Sequence, residues 1–171
     1  LYSFQTDVVY QVLKRDGVCY SKEEYVRKKY KESAKVFINA YGWFVKEAQH
    51  IVPKPEGAEY PYSAFTDLYN VDQTGDGHVL TLDVPIGEAI LFDMFDWTKI
   101  MQMHYIGENE SEEATFSEEL KNMGMNEFQI MTSNFYPEQK ARIQESWKRL
   151  FGHQQAIEAG DNSGVHSVQA G

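Results

Sequence analysis

The sequence predicts an α+β fold: a small sheet of short strands packed with several helices, one of them a long N-terminal helix and another a C-terminal helix. Three observations carry that expectation. Apolar residues recur near helical spacing through 25–48 as Tyr25, Tyr30, Ala34, Phe37, Tyr41, Phe44, Val45 and Ala48. Short β-branched or aromatic runs, LYSFQT, HVLTLDV and AILF, are separated by turn-forming residues. A second helical pattern, Ile143, Trp147, Leu150 and Phe151, follows Tyr136-Pro137-Glu138, where proline at the first helical position forfeits no hydrogen bond.

Taken in order, LYSFQT reads as an opening strand, and Thr6 or Asp7 can cap a helix whose stripe is Val8, Val9, Val12 and Leu13 and which ends at Gly17. Ser21-Lys-Glu-Glu24 has the form of a capping box, so the long helix is expected to begin there and to run until just before Pro53, with Gly42 marking a bend or a close approach. PKPEGAEYP is a loop by composition. Residues 60–69 read as a strand or an irregular aromatic segment, 78–84 as an alternating strand and 89–92 as a short buried one. Asp93 then caps a helix with Trp97, Ile100, Met101 and His104 on one face, and a weak helical signal follows at 117–123. The expected organisation is one globular domain over 1–152 and a flexible tail or linker over 153–171, because HQQAIEAGDNSGVHSVQAG is small, polar and glycine-containing.

Composition narrows the function. With 171 residues the chain holds one core, domains being about 100–150 residues long, and its 14% aromatic content supplies the bulk to fill it. No apolar run approaches the roughly 20 residues needed to span a bilayer, so no membrane partner is expected. A single cysteine, Cys19, excludes an internal disulfide and a cysteine-based zinc cage, which fits a cytoplasmic location. The net charge of −10 opposes general attraction to phosphate backbones, so no nucleic-acid partner is expected either. The charges are uneven: Arg27, Lys31 and Lys35 lie a helical turn apart, while 108–119 holds six glutamates and no base.

The stretch VDQTGDGHVLTLD resembles an EF-hand loop, with Asp72, Thr74, Asp76, Gly77, Val79 and Asp83 at the first, third, fifth, sixth, eighth and twelfth positions. Its surroundings favour a turn instead. A calcium loop leaves into a helix, whereas His78-Val-Leu-Thr-Leu-Asp-Val84 alternates as a strand and is closed by Pro85. Gly75 and Gly77 suit a hairpin. A calcium site at 72–83 is therefore the minor reading, and no metal ligand is assigned.

The phosphate-binding glycine loops, the His-Glu-x-x-His helix and the Gly-x-Ser-x-Gly elbow are all absent. Cys19 reads as a small buried hydrophobe and His104 as a hydrogen-bonded core histidine. His50, His78, His153 and His166 show no metal spacing. The acids that merit attention are Glu88 and the pair Asp93 and Asp96 beside Trp97, since carboxylates just past strand ends often line clefts. Helix capping by Asp93 accounts for that pair more simply.

Five separated pieces, LYSFQTDVVYQVLKRDGV, AYGWFVKEA, PEGAEYPYSAF, VLTLDVPIGEAILFDMFDW and ESWKRLF, together resemble a bacterial family, the domain of unknown function numbered 3841. At the level of layout alone, the strand-helix-glycine opening followed by VPxxxxLxD-like strands is similar to small ADP-ribosyltransferase-type domains. That resemblance implies NAD held in a cleft, with Gln5 as the polar residue of the first strand and Tyr41 or Trp43 stacking on nicotinamide. Glu88 or Asp93 would then stabilise the ribosyl cation. The implied site comprises Gln5, Glu88 and Asp93 as catalytic groups and Tyr2, Tyr41, Trp43 and Trp97 as aromatic walls. The competing expectation is a non-catalytic interaction or inhibitor protein whose acidic 108–119 segment meets a basic protein surface.

Overall fold

The computed structural model describes residues 1–165 and 167–171, and these form an α+β fold. Strand β1 (Tyr2–Thr6) leads directly into helix α1 (Asp7–Asp16), which stops where Gly17 turns left-handed at φ 74° and returns its amide to the Leu13 carbonyl. Helix α2 (Glu23–Tyr30) and helix α3 (Ala34–Ala48) follow, joined by a 3-10 turn, Lys31–Ser33. The single long helix read from the sequence is thus two. Lys31 takes φ 49°, a left-handed conformation that ends α2, and Tyr30 folds back to stack on Phe37 at 3.6 Å. The expected capping box at Ser21 does not form; the Glu23 amide is capped from a distance by the Glu59 carboxylate at 2.7 Å. Gly42 marks neither a bend nor a close approach, since α3 runs through it and nothing lies within 4 Å of where a Cβ would stand.

Strand β2 is only Ala64–Phe65, and β3 is Gly77–Thr81. Strand β4 (Leu91–Asp93) enters helix α4 (Met94–Met101), capped by the Asp93 side chain accepting from the Phe95 amide at 2.7 Å. Helix α5 (Glu110–Asn122) is longer than its sequence signal. Asn109 caps it, and Glu110, Glu112 and Glu113 sit in its positive first turn, which explains the glutamate run locally. Helix α6 (Glu127–Thr132), with a complete Asn126–Gln129 capping box, was not anticipated. Helix α7 (Pro137–Ser146) opens on proline as read, and continues as a 3-10 stretch, Trp147–His153.

The segment after Gly152 differs from the expected flexible tail. It carries helix α8 (Gln154–Glu158) and strand β5 (Val168–Ala170), and β5 is buried between two other strands. His166 lies outside the described residues.

The sheet order is β3-β1-β2-β5-β4, every neighbouring pair antiparallel. Tyr2, Phe65, Gln169 and Phe92 stand in one cross-strand row, so they point to one face, and Ser3, Ala64, Ala170 and Leu91 point to the other. Phe92 fixes which face carries the helices: it packs edge-on to Phe44 at 5.7 Å, and Phe44 meets Trp97 at 5.4 Å. Trp43 meets Trp147 at 5.3 Å in the same core, which also holds Ile100, Leu120, Ile130 and Ile143. Burying each of these large side chains contributes about 1.5–3 kcal/mol. On the opposite face a smaller cluster forms from Ala89, Leu91, Ile157, Val168 and Ala170, with Leu1 and Val84 packed against it.

Strands β3 and β4 are the two edges of the sheet and run in the same direction, so the connection between them crosses β1, β2 and β5. That crossover, with its 3-10 turn Ile86–Glu88, covers part of the second face and forms one wall of the site described next.

The loop ahead of β3 bends at Gly75 and Asp76. Asp72 folds onto its own loop, accepting from the Thr74 amide at 2.9 Å and hydroxyl at 2.7 Å. It is not the hairpin turn expected, because β3 pairs with β1 and not with the segment before the turn. Residues 72–83 do not take the form of an EF-hand loop, because a strand follows Asp76 where a helix would be entered. Strand β3 runs extended from Gly77 to Thr81, about 13 Å at some 3.3 Å per residue, and so leads away from the acids of the loop where a calcium loop would fold back around them. No group of three potential ligands comes together among the described residues.

Candidate functional site

The crossover, the C-terminal half of α3, the loops at 19–21 and 53–62, and the sheet end at Ala64, Ala89 and Ala170 enclose a cavity of about 710 Å³. This is within the 300–1,000 Å³ usual for small-molecule sites. Its walls are mostly apolar: Phe44, Val45, Ala48 and Val52 from α3 and its end, Pro53, Pro55 and Pro61 from the loop, Leu82 and Val84 from the crossover. Three tyrosines, Tyr20, Tyr60 and Tyr62, add rings, and Glu88 and Lys54 add charges.

Each ring is held by a named contact. The Tyr60 hydroxyl donates to the Glu23 carboxylate at 3.1 Å, and burial followed by that bond pushes its pKa up to about 12. The Tyr62 hydroxyl meets the Cys19 Sγ at 3.1 Å, and burial above all raises its pKa. Tyr20 lies across Gly57, where φ is +86° and a Cβ would approach the ring to 3.2 Å, so glycine serves both the turn and the fit. Lys54 turns its ammonium onto the Ala58 carbonyl of its own loop. Glu88 is exposed and makes no ion pair among the described residues.

Of the residues the sequence put forward, only Glu88 lines this cavity. Gln5 and Asp93 point to the same face of the sheet, but Asp93 is in the row of Leu1, four residues along and three strands across, about 20 Å from Gln5 by strand spacings. Gln5 donates to the Ser3 hydroxyl at 2.8 Å and is opposite His78, which pairs with Asp7 at 3.0 Å and lies 4.1 Å from the Tyr10 ring. Asp93 is buried at the start of α4. Beside it, burial first and the Asp93 charge second raise the pKa of Asp96.

Tyr2 is half-buried opposite Phe65 and Thr81. Trp43 and Trp97 belong to the core. Tyr41 stacks on Trp97 at 5.9 Å and meets the Tyr60 ring at a tilt at 5.4 Å, linking the core to the cavity wall, and burial pushes its pKa to about 12. His104 is not a core histidine: it is exposed just past α4, its Nδ1 2.6 Å from Glu127, while Cys19 is half-buried on the cavity wall. The residues the sequence reading missed are Tyr20, Tyr60 and Tyr62. The signal for the last two was Tyr60-Pro61-Tyr62 within a proline-rich loop, a composition that builds rigid apolar walls.

A smaller, polar hollow lies between α5 and α7, and its charges satisfy one another. Arg142 forms a two-pronged pair with Glu119 at 2.5 and 3.0 Å, and Tyr105 donates to Glu112 at 2.7 Å. The family model for Domain of unknown function (DUF3841) matches residues 1–171. The chain belongs to that family. As a DUF3841 domain it carries the cavity within the matched span, and all five sequence pieces that resembled the family lie there too. No curated protein and no solved structure matches the chain. No helix among the described residues is long and apolar enough to cross a membrane.

Proposed function

We propose that this DUF3841 domain binds a small molecule in the cavity between the 82–90 crossover and α3. The observation that carries the reading is the cavity itself: about 710 Å³, apolar in its walls, with rings fixed by hydrogen bonds and few polar groups. Such a lining binds by removing apolar surface from water, and rings already held in place lose little freedom when a ligand arrives.

Group transfer from NAD is the enzymatic form of this proposal. Glu88 supports it as an available carboxylate on the cavity wall, while Gln5 and Asp93 stand apart from each other and off that wall. The interaction-protein reading draws less support. Of the acidic run, Glu108 and Glu112 pair with Arg149, Glu113 with Lys99 and Glu119 with Arg142, so much of its charge is balanced within the chain.

Titration of isotope-labelled protein with the neutral apolar probe N-phenyl-1-naphthylamine tests the proposal. Saturable shifts confined to residues around Ala48, Tyr62 and Ala89 are expected. Shifts scattered over the surface, or none, would refute it.

A further inference from the structure

We infer, on the reading that the cavity holds a small molecule, that its ligand is an organic cation: an apolar body bearing a substituted ammonium or a cationic ring. Two features of the wall and one of the whole molecule favour a positive charge. Tyr20, Tyr60 and Tyr62 all line the cavity, and the π face of a tyrosine attracts a cation by its quadrupole. Their positions are set before any ligand arrives, by the Glu23 and Cys19 contacts and by the ring's seat on Gly57. A preset group of rings is the arrangement that recognises substituted ammonium groups, which are too weakly hydrated to demand hydrogen bonds in return.

Glu88 provides the second feature. It is the acidic side chain among the described lining residues, it comes from the crossover rather than from the ring-bearing loops, and no cation of the chain neutralises it among the described residues. The third is the molecule's field: at a net charge of −10 the protein attracts cations and repels anions on approach. Lys54 is the opposing charge on the lining, and its ammonium is turned onto the Ala58 carbonyl, within its own loop.

Calorimetric titration with three matched probes, benzyltrimethylammonium, its neutral carbon analogue neopentylbenzene, and phenylacetate, tests this. The cation is expected to bind about tenfold more tightly than the neutral analogue and to outbind the anion, the gain available from desolvated cation–π contact and a nearby carboxylate. In Glu88→Gln, whose exposed position spares the fold, and separately in Tyr62→Leu, the cation is expected to lose most of that advantage while the neutral probe holds its affinity. Equal binding of cation and neutral analogue, tighter binding of phenylacetate, or an unchanged cation preference in Glu88→Gln would each overturn the inference and leave the cavity reading standing. Failure of all three probes to bind would overturn both.

Discussion

The thiol sulfur of Cys19 lies 3.1 Å from the hydroxyl oxygen of Tyr62, tying the loop after α1 to the segment before β2 across one wall of the cavity. Because Cys19 is the chain's single cysteine, its alkylation reports on that wall alone. A saturating cavity ligand is predicted to slow alkylation by iodoacetamide several-fold, since the thiolate must be reached to react. An unchanged rate measured by intact mass would place the ligand elsewhere.

Asp93 caps α4 and lies off the cavity wall. Asp93→Ala is therefore predicted to cost at least about 1 kcal/mol of stability, the usual value of a lost cap, and to leave probe affinity unchanged. Denaturant unfolding and probe titration of the same variant separate the two. A loss of affinity with stability intact would return Asp93 to the site.

Gly42 lies in the middle of α3, exposed, with open space where a Cβ would stand. Glycine inside a helix costs roughly 0.5–1 kcal/mol relative to alanine, partly through the freedom of the unfolded chain. Gly42→Ala is predicted to raise the Tm by about 2 °C. A fall would mean that the position is reserved for a contact.

The hydrogen bond that His104 donates to the Glu127 carboxylate raises the histidine's pKa, against an opposing effect of burial. A histidine whose pKa is raised by folding contributes fully below its unfolded value, about 6.5, and loses that contribution as the pH climbs through the higher native value. The stability advantage of the natural chain over His104→Gln is thus predicted to be larger at pH 5.5 than at pH 9. Thermal unfolding of both proteins across that range measures it. The opposite trend would show that the pair does not favour the imidazolium.

Local signals were legible where the chemistry is local. The Gly17 stop, the Asp93 cap and the Pro137 start were readable because each rests on residues within a turn of one another. The break at Lys31 was not, since the apolar spacing runs unbroken through it and the stacking of Tyr30 on Phe37 depends on the break itself. Strand β5 was equally hidden: Val168-Gln169-Ala170 has little strand signal of its own and is defined by partners in β2 and β4 far back in the chain. The candidate site suffered most, because its walls come from several separate stretches, and Gln5 and Asp93, plausible one by one, end about 20 Å apart.

The most direct test of the central claim is to fill the cavity. Val52 is half-buried on its wall at the end of α3, so Val52→Trp adds bulk where a ligand would sit without emptying the core. Probe titration of the natural chain and of this variant, with folding checked by circular dichroism, is predicted to show saturable binding in the first and at least a tenfold loss in the second. Equal affinity in the two folded proteins would contradict the account.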